Sequence, residues 1–137
     1  MPAPPEREVF QYAILRVVPD QERGEALNVG VVLHCRRRAF LGVAVGVDEA
    51  RLRALDPALD VPAVARHLDG LRRVADGDPG AGPVAAMDRS DRFGWIAAPS
   101  NTIVQPSPVH TGVCDDPAAA LERLARRLVA RPAGPPA

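Results

Sequence analysis

The chain contains no lysine: its 17 basic residues are all arginine, they face 17 acidic residues, and the formal net charge is zero. Without surplus charge there is no global field of the kind that holds a protein on nucleic acid or an anionic membrane, and any such partner needs a local patch. Arginine-only usage admits guanidinium-specific recognition. Beside the high alanine and proline content it reads first as the coding bias of a GC-rich genome. Cysteine is scarce, with Cys35 and Cys114 far apart, outside any CxxC spacing and away from clustered histidines, which argues against a metal site. No apolar run approaches the roughly 20 residues of a membrane span, and the N-terminus lacks the basic-then-apolar layout of a secretory signal. A cytoplasmic protein with both thiols free is the expectation. Also missing are a phosphate-binding glycine loop and a nucleophile signature, so the sequence names no cofactor and no reaction.

What is present suffices for one core. A chain of 137 residues, 47% of them hydrophobic, is long enough for one domain and too short for two. Residues 1–8 and 131–137 are proline-rich tails expected to be disordered, leaving a single domain over 9–130. Val9 to Val18 is apolar on both alternating faces and stops at Pro19, which reads as a strand. Leu27 to Cys35 is a second, with Leu27, Val29, Val31, Leu33 and Cys35 on one face and Asn28, Gly30, Val32 and His34 on the other. Ala39 to Val47 is a third. The short Arg36-Arg37-Arg38 connection between the last two implies an antiparallel hairpin, and the three strands a meander.

Asp48 is placed to cap a short helix closed by Pro57. Asp60 is placed to cap a longer one carrying Val64, Leu68, Leu71 and Ala75 at helical spacing, with Gly77 as its stop. Residues 76–91, rich in Gly and Pro, read as a mobile connection. A short element through Phe93, Trp95 and Ile96 follows. The stretch from Thr102 to Val113 reads as a further strand, confined by its prolines to an edge. Asp116 and Pro117 open a last helix extending to about Ala130. The expected fold is α+β, an antiparallel three-stranded meander plus one further strand, with helices packed on one face.

Candidate chemistry concentrates in Arg16, Asp20, Arg23, Glu25 and Asn28. The hairpin register sets Arg16 near Asn28, Gly30 leaves room beside the strand, and Glu25 is positioned to take the Arg16 guanidinium bidentately. Such a cluster either binds an anion or nucleotide, or is a structural ion pair bracing a long loop, and the structural reading is the more ordinary. His110, in a rigid segment before Thr111 and Gly112, is a candidate acid or base. No nucleophile flanks it. His34 and Cys35 cannot form a dyad within a regular strand, because neighbouring side chains point to opposite faces. The triple arginine is a candidate phosphate contact, though a solvated turn is the plainer reading. Trp95 is a candidate interface anchor, set against burial of both Trp95 and Phe93 in an aromatic-poor core.

Two blocks resemble a known family. Arg16-Val-Val-Pro-Asp, Arg23-Gly-Glu and Leu27-Asn-Val-Gly-Val-Val are similar to the N-terminal signature of the bacterial domain of unknown function 3037. Arg92-Phe-Gly-Trp-Ile-Ala-Ala-Pro, the segment from Thr102 to Gly112, and Asp115-Asp-Pro resemble its actinobacterial branch. Leu124-Ala125 departs from the family's Leu-x-x-Leu-Phe helix ending and lacks its aromatic. The resemblance implies a partner, since members are often encoded beside a small HipA-like kinase. The expected function is therefore that of a small accessory or binding protein, a partner or regulator of such a kinase. The alternative is an enzyme or anion-binding protein using Arg16, Arg23, Glu25 and Asn28 with His110. Nucleic-acid binding through the triple arginine is the weakest reading.

Overall fold

The computed structural model describes residues 7–134. Strand β1 (Glu8–Val17) pairs antiparallel with β2 (Leu27–Cys35), which pairs antiparallel with β3 (Phe40–Val45), giving the expected meander. The β2–β3 turn exposes Arg36, Arg37 and Arg38 and closes with Ala39 in the left-handed region at φ 51°. Helices α1 (Glu49–Leu55) and α2 (Val61–Ala75) follow. Their N-termini are capped as expected by Asp48, whose side chain accepts from Arg51 N–H, and by Asp60, which accepts from Ala63 N–H. These caps satisfy backbone donors that the helices leave unpaired.

Residues 76–91, expected to be a mobile connection, instead fold into two 3₁₀ turns, Pro79–Ala81 and Pro83–Ala86, ahead of α3 (Arg89–Ala97). Arg92, 9% exposed, explains how they are held. Its Nη1 donates to the Val74 and Ala75 carbonyls at 3.1 and 2.7 Å, and its Nε donates to the Met87 carbonyl at 3.0 Å. One guanidinium thus joins the end of α2, the residue that closes the second 3₁₀ turn, and α3.

The Thr102 to Val113 stretch forms two strands where one was expected, β4 (Val104–Pro106) and β5 (His110–Cys114), lying end to end along β1. Between them the prolines remove donors. Ser107 bridges the gap: its hydroxyl accepts from Ile14 N–H at 2.8 Å and its own N–H donates to the Ile14 carbonyl at 2.7 Å. Both strands occupy the sheet edge anticipated for this segment.

Helix α4 (Pro117–Leu128) corrects the expectation that all helices share one face. Ala13, Leu15, Val17, Val32 and Val43 pack with α1, α2 and α3 in one cluster, whereas Phe10, Val31, Leu33 and Cys35 pack with Ala120, Leu121 and Val129 in another. The sheet is sandwiched, which is why β2 is buried along both sides. Gly42 makes the close approach possible, since a Cβ there would lie 2.9 Å from Leu121 Cδ2. The expected tails fall mostly outside the described residues, but Glu8 already belongs to β1 and Arg131 donates to Asp48 Oδ2 at 2.7 Å.

Candidate functional site

Strand β1 places Arg16 opposite Asn28 in the register, as the hairpin pattern indicated. The rest of the cluster disperses. A β-bulge between Leu15 and Arg16 shifts the pairing so that Leu15 faces Gly30 while Arg16 faces Asn28. Val29 consequently falls in the α1–α3 cluster, whereas Val31, Leu33 and Cys35 lie in the α4 cluster. The regular alternation expected along this strand breaks there. Asn28 Nδ2 donates to the Leu128 carbonyl at 3.0 Å, satisfying a free acceptor at the end of α4. Arg16 reaches the Pro106 carbonyl at 3.4 Å, and its buried Nε has no partner.

The expected pairing of Arg16 with Glu25 does not occur. Glu25 is exposed and takes the Arg23 Nε at 2.6 Å, a partner two residues away that it reaches without being desolvated. Asp20 accepts from Glu22 and Arg23 N–H at 2.9 and 3.4 Å, an Asx-turn geometry, and Gly24 supplies the left-handed backbone at φ 68° that completes the loop. Asp20, Arg23 and Glu25 do border a small cavity of about 230 Å³ with Leu55 and Pro57, but neither Arg16 nor Asn28 enters it. Gly30 leaves no room for a ligand either: a Cβ there would lie 2.9 Å from the Ala44 carbonyl oxygen and 3.2 Å from a Leu15 methyl.

His110 stands exposed at the start of β5, its ring centroid 5.3 Å from that of Tyr12 across the ladder. It therefore joins none of the other candidates. Phe93 is buried as expected, but Trp95 is 50% exposed and corrects the reading of both as core. Phe93 and Ile96, three positions apart, form the helix face that meets the sheet, and Trp95 lies off that face. It walls an apolar groove of about 450 Å³ with Leu71, Pro99, Val104 and Pro106.

Sequence reasoning set His34 aside because of its neighbour Cys35, and so missed its surroundings. His34 is 7% exposed and stacks on Phe93, with centroids 5.3 Å apart and planes at 29°. It lies in the wall of a cavity of about 590 Å³ that also takes in Arg36, Arg37, Arg7 and Ser90. Burial above all, then the positive charges of Arg36 and Arg89, hold the imidazole below its ordinary pKa of 6.5, against an opposing pull from Asp88. The available signal was Arg36 and Arg37 directly after a strand whose inner face carries a histidine.

The structure also brings Cys35 and Cys114 into one buried cluster, both as free thiols. Burial, with the neighbouring Cys35, raises the Cys114 pKa. Among the described residues no three His, Cys, Asp or Glu side chains gather as a metal-ligand group, and no helix is long and apolar enough to cross a membrane. Neither the curated proteins nor the solved structures contain a match to this chain. The family model described as Protein of unknown function (DUF3037) matches residues 12–129, from within β1 to the residue after α4, and so takes in both signature blocks. The chain belongs to the DUF3037 family.

Proposed function

We propose that the protein is a cytoplasmic accessory protein that works by binding a macromolecular partner, and that this partner is a HipA-like kinase of the kind the family resemblance implies. The observation that carries the reading is Trp95, half exposed in the wall of an apolar groove. A large rigid aromatic held out of the core by a well-packed helix is the residue type that dominates the energetics of protein interfaces. Ile103, 38% exposed and flanked in the chain by groove residues Thr102 and Val104, extends the apolar surface. The dispersal of Arg16, Glu25, Asn28 and His110 supports the same reading, since each serves the loop, the sheet or the surface separately.

The test is co-purification of the chain with a HipA-like kinase from the same genome. A complex is expected, and Trp95→Ala is expected to weaken it by about 2 kcal/mol, the scale of an interface hot spot, while the thermal midpoint of the isolated protein holds. Failure to form any complex overturns the proposal. The enzyme or anion-binding alternative is favoured by the partnerless Nε of Arg16. It would be carried instead by tight binding of a small phosphorylated or carboxylated ligand that both Arg16→Ala and Glu25→Ala abolish.

A further inference from the structure

His34 is a buried imidazole for which the described residues provide a stacking partner but no hydrogen bond. A neutral imidazole carries one donor and one acceptor. The ring is nonetheless not sealed in, because it lines the 590 Å³ cavity between the β2–β3 turn and α3. That volume lies in the ordinary range for small-molecule sites, about 300–1,000 Å³.

The lining is cationic. Three guanidiniums, Arg7, Arg36 and Arg37, share it with the single carboxylate of Glu8. Glu8 is engaged by Arg37 at 4.0 Å and Arg7 by Asp115 at 3.9 Å, both looser than a direct charged hydrogen bond. Arg36 has no carboxylate partner among the described residues. On the opposite wall Ser90 occupies the first turn of α3 and contributes a hydroxyl, while the helix N-terminus itself is capped by the Asp88 side chain, which accepts from Asp91 N–H. Thr111 adds a hydroxyl from β5.

We propose that this cavity binds a phosphate monoester of a small molecule, with the phosphate between Arg36, Arg37 and Ser90 and His34 donating to it from the wall. Several separated guanidiniums and hydroxyls match the three terminal oxygens and near-double charge of a phosphate monoester better than a carboxylate. A single concave pocket in a chain of zero net charge is also unlike the extended basic stripe that tracks a nucleic-acid backbone. The cavity shares no lining residue with the Trp95 groove, so the inference stands independently of partner binding there.

The experiment titrates the full chain with ribose 5-phosphate, AMP and, as a phosphate-free control, adenosine, following the His34 imidazole resonances by NMR and the heat of binding by calorimetry. Saturable movement of the His34 signals with both esters and none with adenosine is expected. AMP and ribose 5-phosphate binding equally assigns recognition to the phosphate, and tighter AMP binding adds a contact to the base. The Arg36→Ala/Arg37→Ala double variant lies on an exposed turn. It should keep its thermal midpoint and weaken binding at least about tenfold, equivalent to about 1.4 kcal/mol, whereas Arg126→Ala on α4 should leave binding unchanged. Static His34 resonances, equal binding of adenosine, or an affinity indifferent to the arginine pair overturns the proposal.

Discussion

At Arg92 a guanidinium sits in the interior with carbonyl oxygens as its hydrogen-bond partners. Truncating it leaves the Ala75 and Met87 carbonyls without the Arg92 donor and the Val74 carbonyl with only the Gly77 N–H, so Arg92→Ala is expected to cost about 3 kcal/mol in denaturant unfolding. Glu25→Ala, by contrast, removes one half of an exposed local pair and should change stability by less than about 0.5 kcal/mol. A large loss at Glu25 would revive the buried ion pair that the sequence suggested. His34 gives a pH prediction whose sign follows from its environment. Its folded pKa lies below the ordinary 6.5, so between the two values the unfolded chain binds the extra proton, and stability rises with pH across that window. Thermal midpoints should therefore fall on acidification from about pH 7.5 to about pH 5.5, near the ordinary range for histidine, and the slope should flatten in His34→Gln. An unchanged slope in that variant would mean the proton goes elsewhere. The identity of these residues was legible in the chain, but their partners were not. Arg92 and its acceptors lie 5 to 18 positions apart, and only the folded backbone aims those carbonyls at it.

Among the elements, the helix caps and strand limits were readable because they depend on neighbours within one turn. Asp48, Asp60 and Asp116 each accept from a backbone N–H two or three residues on. The bulge at Val29 of β2, opposite the Leu15–Arg16 step of β1, was not readable, because it depends on how the two strands lie against each other. Two glycines separate these cases. Gly70 lies within α2, where an added Cβ would meet nothing within 4 Å, so Gly70→Ala should raise stability by about 0.5–1 kcal/mol, the helix preference of alanine. Gly30 lies beside the bulge, where an added Cβ would stand 2.9 Å from a backbone oxygen of β3, so Gly30→Ala should destabilise by forcing β2 and β3 apart. Chemical denaturation of the two variants checks both signs, and a neutral Gly30→Ala would mean that the strand pair yields easily. The two-sided apolar pattern of β1 read as a strand covered on both sides, yet the expected fold set all helices on one face, and the packing of α4 against the other face corrects it. The side on which α4 docks was decided by the groove that Gly42 opens for Leu121.

For the whole molecule, the joining of Cys35 and Cys114 in the α4-side cluster is the most direct test of the sandwich. Residues from β2 and β5 meet there under Phe10 and α4, so reaching either thiol requires the layers to separate. In native buffer a thiol-reactive dye should label neither cysteine quickly. In denaturant it should label both, and the protection should be lost together with the global unfolding transition. Rapid native labelling of Cys114 would show that this end of the sheet opens independently. By itself the amino-acid sequence determined the family signature, the meander, the edge position of the proline-interrupted strands, the caps at Asp48, Asp60 and Asp116 and the exposed arginine turn. The signature is a resemblance of motifs, and the others follow from short-range periodicity and local hydrogen bonding. The tertiary structure alone decided that Arg16 and Glu25 part company, that Trp95 turns outward and that α4 crosses to the second face. It alone gathers Arg7, His34, Arg36 and Ser90 around one cavity. Those outcomes depend on how strands and helices far apart in the chain are docked, and docking is set by the complementary shapes of whole faces, which a linear pattern does not contain.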